Sequence, residues 1–278
     1  MKLSVCTISF RHHLYSLDEI ARWAKHQGFH GIELWGIHAK NLEVDRYYGK
    51  EWLHSLGLET SMLSDYLPLD APIPVLREKM QRLSSLAKHW GTKKIRVFSG
   101  QKGSAEYSNL ERIELVTRLK LLCKIAECEG QQLLLETHPN TFTDHPKSTL
   151  ELLLETNHPN LRINFDVLHV WESGANPIDA FQLLYRYISH FHFKNISSRL
   201  ELGVFSPDNV YRPSGNRKGM VSIFEGEVDY RDFLKAASNK MDIEASLEWF
   251  GSNPKEILKQ DLRDCQGLAR EVFVESKN

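Results

Sequence analysis

Four short runs between Leu133 and Phe250 each end on residues that can bind a metal or move a proton. Leu133 to Leu135 lead into Glu136, with His138 two positions on, and Ile163 to Phe165 lead into Asp166, with His169 three positions on. His190-Phe-His192-Phe-Lys194 alternates polar and aromatic side chains, and Ser246-Leu-Glu248-Trp-Phe250 carries a second glutamate. Successive side chains of a strand point to opposite faces. Glu136 and His138 therefore share one face, as do His190, His192 and Lys194.

Glu136, Asp166, His192 and Glu248 make a mixed oxygen and nitrogen donor set without a thiolate, unlike a structural zinc site. One divalent ion is the expected cofactor, manganese or magnesium ahead of cobalt or zinc, with room for substrate to complete the coordination. Taken singly, each is equally well explained as a buried polar group satisfied by its neighbours. Together, three carboxylates converging on one mouth would repel each other unless a cation lay between them.

Around this set the sequence places Arg96 at a strand end, Lys194 two residues beyond His192, and the aromatic residues Tyr66, Trp171, Phe205, Tyr211 and Phe250. The two cations pair with local carboxylates in the plainest reading. Any positive charge beyond that pairing suits an anionic substrate, and aromatic walls suit a flat ring. Glu33 and Trp35 also fall inward on a strand; core packing and a buried ion pair account for them equally well.

The elements that must position these residues alternate strand and helix, the pattern of repeated β-α units. Eight strands are expected, at Leu3 to Ser9, Gly31 to Trp35, Glu59 to Ser64, Lys94 to Phe98, Gln132 to Glu136, Leu161 to Asp166, His190 to Lys194 and Ala245 to Trp249. Helical patterns run from Leu17 to His26, Leu76 to Trp90 and Leu110 to Glu129, closed by Gly28, Gly91 and Gly130 as left-handed caps. Ser16 and Glu19 form a capping box at the start of the first.

After the first strand comes Ser9-Phe-Arg-His-His13 rather than a glycine-rich phosphate cradle, which disfavours a dinucleotide fold. No linker divides the chain. Residues 1–278 are therefore expected to form one (β/α)8 barrel, with a long irregular stretch at 196–228 after strand seven acting as a lid or substrate loop. In such barrels the chemistry sits at the carboxyl ends of the strands.

Composition narrows the partners. The 278 residues are 41% hydrophobic and 26% charged, as in ordinary globular proteins, and the formal net charge of −1 gives no basic field for nucleic acid. A small molecule is the expected partner. The apolar start lacks the length and cleavage site of a signal peptide, no run approaches a membrane span, and four cysteines without CxxC spacing suggest reduced thiols in cytoplasm.

With these strand ends, the chain resembles the xylose-isomerase-like barrel superfamily. More narrowly, CTISFRH, GIELWG, IRVFSGQKGSA, LLLETHPNT, HVWESGA, HFHFKNISS, GNRKGM and SLEWFG resemble the bacterial 3-dehydroshikimate dehydratases that form protocatechuate. These stretches run from Cys6 to Gly251. The resemblance implies metal binding at Glu136, Asp166, His192 and Glu248, catalytic roles for His138, His169 and Lys194, substrate contact by Arg96, and Tyr66, Phe205, Tyr211 and Phe250 as pocket walls. It also implies a small anionic cyclic substrate, 3-dehydroshikimate, dehydrated through a metal-stabilised enolate to supply siderophore biosynthesis or aromatic catabolism.

The residues suit that chemistry. His138 would remove the acidic proton beside the ketone, with His169 as the rival base and Lys194 or His169 steadying the enolate. The alternative in the same superfamily is a sugar or inositol isomerase, epimerase or dehydratase, for which hydroxyl-binding groups would be expected more than Arg96, Lys194 and aromatic walls. An apurinic-type nuclease would need two or three metals and a basic groove, and a non-catalytic binding protein would have no use for His138.

Overall fold

The apolar runs between the glycine-capped helices become eight parallel strands of a closed barrel. They are β1 (Lys2–Cys6), β2 (Gly31–Trp35), β3 (Glu59–Ser64), β4 (Lys94–Val97), β5 (Gln132–Glu136), β6 (Leu161–Asp166), β7 (Ile188–Phe193) and β8 (Glu244–Leu247). Neighbours pair in chain order, and β1 closes the ring against β8 with Lys2 opposite Glu244. The computed structural model describes residues 1–275; residues 276–278 of the expected barrel unit lie outside them. No helix among the described residues is long and apolar enough to cross a membrane.

Local signals set the helix ends. Ser16 Oγ accepts from the Glu19 amide at 3.1 Å while Glu19 Oε2 accepts from the Ser16 amide at 2.8 Å, and helix Leu17–Gln27 stops at Gly28 with φ of 93°. The expected helices at 76–90 and 110–129 are Ile73–Trp90 and Asn109–Cys128.

The strand ends depart from the sequence reading where side chains capture backbone. β1 stops at Cys6 rather than Ser9, and Thr7–Phe10 coil into a 3-10 turn. Thr7 Oγ1 accepts from the Trp35 amide at 2.9 Å and Ser9 Oγ from the Trp249 amide at 3.0 Å. These hydroxyls replace ladder partners, so the chain turns across the barrel mouth. β4 likewise ends before Phe98, β7 before Lys194 and β8 before Glu248, leaving those residues in the loops at the carboxyl face.

The 196–228 stretch is less irregular than expected. Asn195–Ile196 pairs antiparallel with Met220–Val221, Arg199–Phe205 is 3-10 helical, and Pro207–Val210 forms one short helix. Asn195 pins its base, with Nδ2 donating to the carbonyls of Ile223 at 2.6 Å and Val228 at 2.9 Å.

The final helix, Pro254–Glu275, anchors this cover through Asp261, which accepts hydrogen bonds from the Ser222 hydroxyl and, at 3.0 Å, the Ile223 amide. Burial pushes its carboxyl up to about 6, against the lowering effect of those bonds. A folded-state value above the unfolded one favours folding below the unfolded value, and that contribution disappears as pH rises through about 6. Asp261→Asn retains an acceptor and removes the charge. It should be the more stable protein above pH 7, by up to about 3 kcal/mol, with the difference vanishing near pH 4. Denaturant unfolding of both proteins across that range checks it; parallel curves would contradict it.

Candidate active site

At the carboxyl face, β5 presents Glu136, β6 Asp166, β7 His192 and the loop after β8 Glu248, all buried. Their ligand atoms converge. From His192 Nδ1, Glu248 Oε1 is 3.5 Å away, Glu136 Oε1 3.6 Å and Asp166 Oδ2 3.8 Å. Donors held roughly 2.1 Å from one ion stand roughly 3 to 3.6 Å apart. Glu136, Asp166 and His192 offer ligand atoms within 4.8 Å of one another, a spacing an ion could draw in, and Glu248 reaches this set through His192.

Two further observations fit the ion. His192 Nδ1 is buried with no hydrogen-bond partner, although its other ring nitrogen, Nε2, is 2.9 Å from Glu33 Oε2. Four buried carboxylates, those of Glu33, Glu136, Asp166 and Glu248, face two permanent cations, Arg96 and Lys194. A divalent ion held among these carboxylates would offset the negative charge that Arg96 and Lys194 leave uncompensated.

Arg96 and Lys194 take the plainer of the two roles open to them, pairing with the carboxylates beside them. Arg96 Nε lies 2.9 Å from Glu136 Oε2, and Lys194 Nζ bridges Asp166 Oδ2 at 2.5 Å and Glu248 Oε2 at 2.7 Å. Burial would neutralise these groups; each opposite charge prevents it. Glu248 is held near 2 and Glu136 well below the usual carboxylate range by His192 with Lys194 or Arg96, while Lys194 and Arg96 are pushed up against their burial by the carboxylates. Arg96 Nη1 keeps no hydrogen-bond partner and remains a buried donor at the cavity wall.

Two histidines stand beside this cluster with ring centroids 4.4 Å apart. His138 Nδ1 donates to the Pro139 carbonyl at 2.7 Å, and His169 Nδ1 donates to Glu172 Oε2 at 2.7 Å. Each donor contact leaves Nε2 of its ring with a lone pair. Ligand atoms of Glu136, His138 and His169 all lie within 4.8 Å of one another. Burial and the neighbouring His169 lower His138 to about 3, so its imidazole is neutral at neutral pH.

A cavity of about 380 Å³ opens over these groups, with walls that include Tyr66, Phe98, Phe205, Tyr211 and Phe250. The Tyr66 and Tyr211 hydroxyls hydrogen-bond across its mouth, and Tyr211 stacks on Trp35. Lys194 Nζ sits 5.6 Å from the Phe205 ring centre and 5.7 Å from that of Phe250. Gly100, at φ +107°, lets the wall pass the Tyr107 hydroxyl, which a Cβ would strike.

The xylose isomerase-like TIM barrel model matches residues 21–266. The chain belongs to that family. Within it, the 3-dehydroshikimate dehydratase of Bacillus anthracis is 51% identical over 269 residues, covering 95% of this chain and 96% of the relative. The crystal structure of the probable 3-DHS dehydratase AsbF involved in petrobactin synthesis, from the same organism, superposes with a TM-score of 0.90 at 50% identity, covering 95% of this chain and 98% of that one. The IolI protein with a bound zinc atom shares the fold alone, at TM-score 0.76 and 16% identity over 99% of both chains.

Within this xylose isomerase-like barrel, one expected site residue falls elsewhere. Trp171 packs partly buried under Arg199, whose guanidinium carbon is 3.9 Å from the ring centre, and is outside the cavity lining. Three residues with a place in the site were not singled out for it. Phe98 lies between Arg96 and His138, 4.7 Å from each, and its spacing two after Arg96 was the available signal. Glu172, three after His169 on a helix, is that histidine's partner. Glu33, left open between core packing and an ion pair, faces His192.

Proposed function

We propose that this chain dehydrates 3-dehydroshikimate to protocatechuate and water, using one divalent ion held by Glu136, Asp166, His192 and Glu248. The observation that carries the reading is the convergence of three carboxylates on an unpartnered His192 Nδ1 beside the neutral His138, in a chain half identical along its length to a protein of that activity. Manganese or magnesium best suits the oxygen-rich donors. Residues 1–278 act as one catalytic unit in the cytoplasm, and kinship with a protein of petrobactin synthesis favours supply of a siderophore over catabolism.

When bound, the ion acts as a Lewis acid that acidifies the carbon beside the substrate ketone. His138 Nε2 takes the proton from that hydroxyl-bearing carbon. Lys194, fixed between two carboxylates and two phenyl rings, places a positive charge beside the developing negative charge. The proton taken by His138 leaves with the departing β-hydroxyl as water, while His169, its ring fixed by Glu172, flanks the developing enolate. Loss of a further ring proton completes the catechol, and aromatisation drives the sequence forward. Tyr66, Phe205, Tyr211 and Phe250 shield the ring from water, while Arg96 holds the substrate's anionic group.

Incubation with 3-dehydroshikimate, with and without chelator, tests the reading through the ultraviolet absorbance of the catechol. A metal-replete protein that leaves this substrate unchanged would overturn it. For Arg96→Ala, kcat/KM should fall by about 3 kcal/mol, roughly a hundredfold, because a desolvated charged contact is lost. An unchanged kcat/KM would mean that Arg96 serves only Glu136.

A further inference from the structure

Glu33 is completely buried on β2, where an apolar residue would avoid the cost of desolvating a carboxylate. The β2 and β3 register slips between Ile32 and Glu33, an irregularity of the kind that re-aims a side chain. Both carboxylate oxygens are engaged: Oε1 accepts from the Ser64 hydroxyl, and Oε2 accepts from His192 Nε2 at 2.9 Å. Below them, His190 Nε2 is 3.9 Å from the same Oε2 and 2.8 Å from Ser246 Oγ, closing the space in which Glu33 could turn.

The consequence falls on the far side of the His192 ring. In the neutral imidazole that a metal requires, an Nε2 proton given to a carboxylate leaves the lone pair on Nδ1. That Nδ1 is the atom surrounded by the oxygens of Glu136, Asp166 and Glu248 at 3.5 to 3.8 Å.

We infer that Glu33 is the positioning residue of the metal site: its carboxylate fixes the ring and tautomer of His192, and Ser64 in turn fixes Glu33. The inference rests on the metal site proposed above. A purely structural Glu33 would contribute to stability and leave metal affinity alone.

The test is titration of chelator-stripped protein with Mn2+ at one pH, read by calorimetry and by electron paramagnetic resonance of the unbound ion. Unfolding midpoints in chelator are measured alongside. Glu33→Gln, which keeps size and an acceptor, should bind about tenfold more weakly, and Glu33→Met about a hundredfold more weakly. Ser64→Ala should weaken binding less than either. A folded Glu33→Gln protein with wild-type affinity overturns this inference alone, whereas a wild-type chain that binds no divalent ion overturns the metal site and the inference with it. If the Glu33 variants do not fold, Ser64→Ala decides: weaker binding supports the role, and unchanged binding overturns it.

Discussion

Glu136→Gln is expected to fold into the same barrel yet lose its divalent ion and nearly all of its turnover. Glutamine keeps the side chain's size, but it removes one charged donor and leaves buried Arg96 without its counter-ion at 2.9 Å. Losing the Lewis acid removes several kcal/mol of transition-state stabilisation, so turnover should fall by about three orders of magnitude or more. Glu248→Gln should act alike with less disturbance to the fold, because Lys194 keeps Asp166 at 2.5 Å as a partner. Metal content and initial rates measured on one preparation check both variants. Full activity in a verified metal-free sample would end the metal-dependent reading.

His138→Ala should keep its metal and its affinity for substrate while turnover falls by roughly two to four orders of magnitude, the range for a positioned proton acceptor. With Nδ1 committed to the Pro139 carbonyl at 2.7 Å, Nε2 is the only nitrogen left to accept a proton. Burial and His169 hold the imidazole down to about 3, so it is neutral and available through the whole neutral range. The same depression makes it a weak base, effective only toward a strongly acidified carbon. The rival is His169, whose Nδ1 is fixed by Glu172 at 2.7 Å. Exchange of the substrate's acidic proton with deuterated solvent separates the two. If His138→Ala exchanges normally and His169→Ala does not, the roles are reversed.

The barrel and the residue types at its strand ends were legible in the sequence because both are written in local patterns. Alternation along a strand placed Glu136 with His138 and His192 with Lys194, and capping residues such as Ser16 and Gly28 marked the helix ends. Where the reading ran long, as in carrying β1 to Ser9, distant backbone groups were responsible. The amides of Trp35 and Trp249, 28 and 240 residues away from their partners, take the Thr7 and Ser9 hydroxyls. Trp171, near the site in sequence, packs partly buried against the core under Arg199 rather than lining the cavity.

By itself, then, the sequence determined which residue types stand at the carboxyl ends of the strands, since side-chain periodicity and helix caps act over a few residues. Only the tertiary structure decided their partners. That Arg96 spends its charge on Glu136, that Lys194 bridges Asp166 and Glu248, and that Glu33 meets His192 across 159 positions of chain all depend on closure of the ring. Inside that ring, each ionised group must find an opposite charge or a hydrogen bond because water is excluded, and which neighbour supplies it is a matter of distance in space.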